Sequence, residues 1–82
     1  MTKVKKNILV TGSSGLIGFP LVEKLMNLGF NVIGLDPRKL IEENDTYLHL
    51  SNIELNKNQF LKILKKHKIS DVIHTGGISG PM

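Results

Sequence analysis

A short apolar run that passes directly into three evenly spaced glycines sets the strongest limit on what this 82-residue chain can fold into. Asn7-Ile8-Leu9-Val10-Thr11 is β-branched, apolar and stopped by Gly12, the pattern of a buried strand. Gly12, Gly15 and Gly18 follow at intervals of three. Around and beyond them Leu16, Ile17, Leu21, Val22, Leu25 and Met26 recur at helical spacing. The spacing predicts a helix over residues 15–28, closed by Gly29 in the left-handed conformation. Pro20, early in that helix, is expected to remove one helix hydrogen bond and bend the opening turn.

The same alternation continues to the end of the chain. Residues 31–35 (Asn-Val-Ile-Gly-Leu) read as a second strand, ended by Asp36-Pro37. Residues 38–44 suggest a short helix gripped by Leu40 and Ile41, and residues 46–50 a third strand. Residues 59–67 place Phe60, Leu61 and Leu64 on one helical side and lysines on the other, with Asn56 or Asn58 as N-cap. Residues 71–75 form a fourth strand before Gly76-Gly77. The strands show little polar alternation, as expected where helices cover both sheet faces. Strands that alternate with helices and cross over right-handed give an α/β fold. The expected architecture is the N-terminal half of a Rossmann-type doubly wound parallel sheet, about four strands in the order 3-2-1-4.

Composition removes several alternatives. Hydrophobic residues make up 40% and charged residues 22%, the balance of a globular chain and neither disorder nor coiled coil. The net charge of +4 is eleven Lys+Arg against seven Asp+Glu, with most of the excess at Lys3, Lys5 and Lys6 and at Lys57, Lys62, Lys65, Lys66 and Lys68. Phe60, on the apolar side of its helix, is the one aromatic residue among these lysines and Arg38 is the single arginine, so the lysines read as solvated faces and no nucleic-acid partner is expected. Ile8-Leu9-Val10 is too short for a signal core or a membrane span, so a cytoplasmic location with no membrane partner is the default. There is no cysteine for a disulfide or a thiolate zinc site, and His49 and His67 lack ligand spacing, so no metal is expected.

Each glycine has its own task in a strand-to-helix turn. Gly12 lets the chain leave the strand sharply, Gly15 lets backbone approach a pyrophosphate, and Gly18 lets the helix pack tightly on the sheet. The helix then offers free N–H groups and the positive end of its dipole to phosphates. Its position between a strand and a helix is what gives the motif weight. Asp36 ends the second strand eighteen residues beyond Gly18, where a carboxylate accepts hydrogen bonds from an adenosine ribose and repels a 2′-phosphate. NAD is therefore the expected cofactor and NADP the less favoured one; Arg38 could pair a 2′-phosphate and softens the preference.

Thr11-Gly12-Ser13-Ser14-Gly15-Leu16-Ile17-Gly18 resembles the TGxxGxxG motif of the extended short-chain dehydrogenase/reductase family, the NAD-dependent epimerase/dehydratase group. Asp71-Val72-Ile73-His74-Thr75-Gly76-Gly77 resembles that family's segment after the fourth strand. The resemblance implies that Gly12, Ser14, Gly15, Leu16, Ile17 and Gly18 meet the pyrophosphate, largely through backbone, and that Asp36 holds the adenosine ribose. It implies further that Asn52 and Ile53 lie against the adenine, with Asn52 where the family usually has Asp. Thr75, Gly76 and Gly77 would lie beside the central ribose and phosphates, and His74 would be structural. By the same resemblance the substrate is a sugar, nucleotide-sugar or other small hydroxylated molecule, transformed by hydride transfer, and the complete enzyme is a homodimer.

That family's chemistry uses a tyrosine and a lysine four residues later. Here the single tyrosine, Tyr47, is followed at that distance by Ser51, so these residues contain no catalytic pair. Residues 1–82 accordingly read as the N-terminal portion of one NAD(P)-binding domain, truncated before the catalytic segment and inactive alone. The alternative is a non-catalytic dinucleotide-binding module with a sensor or regulatory role.

Overall fold

The computed structural model describes residues 6–51 and 56–75. The expected roles of Asn52, Ile53, Gly76 and Gly77 fall outside the described residues. The elements in chain order are β1 (Asn7–Thr11), α1 (Gly18–Asn27), β2 (Asn31–Leu35), β3 (Tyr47–Leu50), α2 (Lys57–Lys66) and β4 (Asp71–His74). The strands form one sheet in the order β3-β2-β1-β4, and all three pairings are parallel. Thr11 is level with Leu35 on one side and His74 on the other, so the C-terminal ends of β1, β2 and β4 finish together.

Successive strand side chains face opposite ways, and the core divides accordingly. Ile8, Val10, Val32 and Tyr47 pack with Val22 and Leu25 of α1 on one face. Leu9, Ile33 and Leu35 pack with Ile63 of α2 on the other. Leu9 and Val10 are both fully buried, which is why β1 reads as a continuous apolar run. Burial on that scale contributes roughly 1.5–3 kcal/mol per large aliphatic side chain.

Both helices stop by the same device. At the end of α1 the Phe30 N–H donates to the Leu25 carbonyl (3.1 Å) and Gly29 N–H to Met26 (3.0 Å), with Gly29 at φ +93° as expected. At the end of α2, Ile69 N–H reaches Leu64 (3.0 Å) and Lys68 N–H reaches Lys65 (3.2 Å). Lys68 occupies the left-handed position there, at φ +50°, where a glycine would sit without strain. Asn56 is the N-cap of α2, its side-chain oxygen accepting from the Gln59 N–H at 2.9 Å.

Three local expectations need correction. The first helix is continuous from Gly18, not from residue 15: Phe19 N–H meets the Gly15 carbonyl (3.0 Å) and Leu21 N–H the Ile17 carbonyl (3.2 Å) at helical spacing, but the bond between them is missing. Pro20 has no N–H to give the Leu16 carbonyl, so it removes one helix hydrogen bond at the opening turn, as expected. Residues 38–44 form no helix. The Arg38 N–H is taken by the Asp36 carboxylate (2.9 Å) and its carbonyl by the Ser14 hydroxyl (2.6 Å), which leaves neither for a helical turn. The third strand starts at Tyr47, not 46, because Thr46 belongs to a turn in which the Asn44 side chain accepts from its N–H at 2.8 Å.

Candidate functional site

The strand order reverses beside β1: β2 follows on one side with α1, β4 on the other with α2. In open parallel sheets the crevice at such a point, beyond the C-terminal strand ends, is where ligands bind. Here that crevice is built from the glycine loop after β1, Asp36 and Arg38 after β2, and Thr75 after β4.

Gly12 carries φ +70°, which turns the chain off β1 as expected. Its N–H donates to Leu35 carbonyl at 2.7 Å, pinning the loop to the end of β2. Gly18 lies so close beneath this turn that a Cβ on it would stand 2.0 Å from the Gly12 carbonyl oxygen and 2.8 Å from Thr75 Oγ1. Only a glycine allows the start of α1 to rest against the loop. Gly15 is different: a Cβ there would stand 3.3 Å from the same carbonyl, a tight but bearable contact. Its lack of a side chain leaves the outer side of the loop open.

Leu16 and Ile17, at the tip of the loop, are 98% and 65% exposed. No side chain caps α1 and no acidic residue stands in its first turn, so its positive end is left uncompensated. A shallow depression lies next to it, bounded by Gly15, Leu16, Phe19, Pro20, Arg38 and Leu40. Another hollow, lined in part by Asn31, Asp45, Thr46 and His67, sits at the opposite ends of the strands, away from all the expected site residues.

Asp36 is buried, and each of its carboxylate oxygens accepts one hydrogen bond. One carboxylate oxygen accepts from Ser14 N–H at 3.2 Å, the other from Arg38 N–H at 2.9 Å, with the Arg38 Nε 3.6 Å from the latter oxygen. Arg38 also donates from Nη2 to the Ser14 carbonyl at 3.2 Å. Ser14, Asp36 and Arg38 thus form a clasp between the glycine loop and the end of β2. Two groups of expected site residues therefore meet: the glycine loop and the Asp36 carboxylate are joined by a direct hydrogen bond.

Thr75 faces inward. Its hydroxyl donates to the Thr11 carbonyl (2.7 Å) and contacts the Gly12 carbonyl (3.1 Å), which ties β4 to the glycine turn. His74 bonds through Nδ1 to the Thr11 hydroxyl, in keeping with a structural role.

Three residues behind the clasp escaped sequence reasoning. Tyr47 and His49, both buried, are hydrogen-bonded between the phenol oxygen and Nδ1 at 2.6 Å, and His49 Nε2 meets the Asp36 carbonyl at 2.9 Å. Gly34 makes room for them, since a Cβ there would stand 2.1 Å from the Tyr47 hydroxyl oxygen. Burial pushes the Tyr47 phenol above its ordinary range, while the neighbouring Ser13 hydroxyl opposes the shift and the Asp36 and Glu43 charges add to it. The one available signal was a glycine inside an apolar strand, a mark of close approach by another group.

Comparison with known proteins agrees with this geometry. The model of the NAD dependent epimerase/dehydratase family matches residues 8–82, nearly the whole chain. The chain belongs to that family. Among curated relatives of this epimerase/dehydratase chain, a UDP-glucose 4-epimerase from Pisum sativum is 32% identical over 95% of it, which is 26% of the pea protein. Among solved structures, a short chain dehydrogenase from Leptospira borgpetersenii with bound NAD+ superposes with a TM-score of 0.75 at 27% identity, covering 95% of this chain and 34% of that one. A UDP-glucose 4-epimerase from Thermotoga maritima with UDP-glucose gives 0.71 at 29% identity, covering 89% and 25%. The chain thus spans about a quarter to a third of the length of these relatives.

Proposed function

We propose that these residues form the adenosine and pyrophosphate half of the NAD site of an epimerase, dehydratase or dehydrogenase that acts on a sugar or nucleotide-sugar. The observation that carries the reading is the close seat of Gly18 under Gly12, with the buried Asp36 hydrogen-bonded to the loop that the seat defines. The fit to a dinucleotide is sound: an uncapped, acid-free helix start and an open Gly15 suit two phosphates, and a buried carboxylate at the end of β2 suits a ribose diol.

In this reading Gly12, Ser14, Gly15, Leu16, Ile17 and Gly18 surround the pyrophosphate, and the exposed Leu16 and Ile17 shield it from water. Asp36 takes the ribose hydroxyls and Arg38 flanks the adenosine. Thr75 adjoins the loop, and the family resemblance assigns Asn52, Ile53, Gly76 and Gly77, which lie outside the described residues, to the same cofactor. Bound NAD supplies a hydride acceptor or donor at its nicotinamide ring. The chain's own contribution is to hold the other half of the molecule rigidly, so that binding energy far from the reacting carbon orients it. The proton-transfer residues are proposed to come from outside residues 1–82, as the N-terminal portion of one Rossmann domain. The test is calorimetric titration of the full chain with NAD and NADP. Micromolar to millimolar binding of NAD, weaker binding of NADP and loss of both in Gly18→Val support the reading; no binding of either cofactor overturns it.

A further inference from the structure

A buried polar chain runs beneath the glycine loop to the back of Asp36. We propose that Tyr47 and His49 are positioning residues for cofactor recognition, holding Asp36 through its main-chain carbonyl in the orientation that takes the adenosine ribose. The proposal rests on the dinucleotide reading and deepens it.

The hydrogen bonds fix their own directions. A carbonyl oxygen only accepts, so His49 carries its proton on Nε2 and donates to Asp36 at 2.9 Å. Nδ1 is then the acceptor, and the Tyr47 O–H donates to it at 2.6 Å. A phenol raised above its ordinary range by burial keeps its proton and remains a donor throughout the neutral range. The Ser13 hydroxyl, buried in the glycine loop, lies near the phenol over Gly34 but has no hydrogen-bond partner among the described residues. The hydrogen-bonded chain therefore runs from Tyr47 through His49 to the residue that would hold the ribose.

Its importance lies in where Asp36 gets its other anchors. The carboxylate is held by Ser14 N–H and Arg38 N–H, both on segments that the cofactor itself would touch. The main chain is held by Asp36 N–H to the Leu50 carbonyl (3.2 Å) and by His49, both from β3. Glu43 in turn accepts from the His49 N–H at 2.9 Å and fixes the strand that carries the dyad. His49 thus sets Asp36 from behind, independently of ligand. Buried polar side chains are costly fillers of a core unless every group is satisfied, and an apolar pair would fill the space over Gly34 more simply.

The experiment compares two cofactors on the full chain by calorimetry: NAD, and NAD lacking the adenosine 2′-hydroxyl. Wild type is expected to prefer NAD by roughly ten- to a hundredfold, the range of a hydrogen bond to a charged group. His49→Leu and Tyr47→Phe are expected to compress that preference to about threefold or less while affinity for the deoxy cofactor stays within about threefold, the scatter of uncoupled sites. His49→Gln, whose amide can donate to the carbonyl and accept from the phenol, restores the preference. Should His49→Leu fail to fold by circular dichroism, Tyr47→Phe, which removes one oxygen atom, carries the test. Equal loss for both cofactors, or an unchanged preference, overturns the positioning role and leaves the dinucleotide site standing. Failure of wild type to bind either cofactor overturns the site itself, and the positioning role with it.

Discussion

Replacement of Gly18 by alanine puts the close seat of α1 under the glycine loop to a quantitative test. The new Cβ would lie 2.0 Å from the Gly12 carbonyl oxygen, 2.8 Å from its carbon and 2.8 Å from Thr75 Oγ1. A carbon and a carbonyl oxygen meet at about 3.3 Å or more, so the groups must separate by over about 1 Å. Gly12 is not free to retreat, because its N–H is held by Leu35 (2.7 Å) and its oxygen by Gly15 N–H (3.0 Å) and the Thr75 hydroxyl (3.1 Å). Overpacking costs about 1–3 kcal/mol and each weakened hydrogen bond about 1 kcal/mol. The loss of chain freedom on going from glycine to alanine offsets about 0.4–1 kcal/mol. The expected net destabilisation is about 2–3 kcal/mol, read as a lowered midpoint in urea unfolding of the full chain. NAD affinity measured on the folded fraction should fall as well, since the displaced turn is the one proposed to face the phosphates. Gly15→Ala is the matched comparison: its 3.3 Å contact predicts nearly unchanged stability with NAD affinity lost. If Gly18→Ala unfolds at the wild-type midpoint and binds NAD as wild type does, the close-packing argument is refuted.

Other consequences follow from single positions. Lys68→Gly should stabilise the chain by about 1 kcal/mol in urea unfolding, because it removes a side chain from a left-handed backbone position. Asp36→Asn should weaken NAD more than NADP in calorimetric titration, narrowing the preference by about tenfold. The Tyr47 phenol, with its folded pKa raised above 10.0, binds a proton that the unfolded chain releases earlier. Its contribution to stability is full below pH 10 and is lost as pH rises through the folded value, so wild type should lose stability there relative to Tyr47→Phe. His67 is shifted the other way, first by burial and then by the Lys66 charge. The unfolded chain then binds the extra proton, and stability should fall as pH drops from 6.5 through the lower folded value, a slope that His67→Gln removes in pH-dependent urea unfolding.

The strand order and the glycine loop were legible because each rests on local chemistry. An apolar run stopped by glycine, and a helix closed by Gly29, leave a trace in adjacent residues. The region 38–44 was misread for the complementary reason. Its apolar residues Leu40 and Ile41 suggest a helix, yet the backbone of Arg38 is claimed by Ser14 and Asp36, partners twenty-four and two residues away. Asp36 was proposed as a site residue from its place at a strand end, whereas the groups bonded to its main chain were not legible. Tyr47 and His49 reach it from the neighbouring strand, and only their alternation on one face would have paired them. Gly34 was the visible half of that arrangement; what filled its space was not visible.

The phenol of Tyr47 occupies the volume in which residue 34 would otherwise carry a side chain. Neither position can therefore drift alone over evolutionary time. A methyl group gained at 34 first collides with the ring, and a smaller residue at 47 first leaves a hole over a bare stretch of β2. Homologous chains should fall into two sets, one with glycine at 34 and a large residue at 47, the other with the sizes exchanged. Intermediates between the sets would be rare, and substitutions at the two sites, each harmful alone, should be tolerated together.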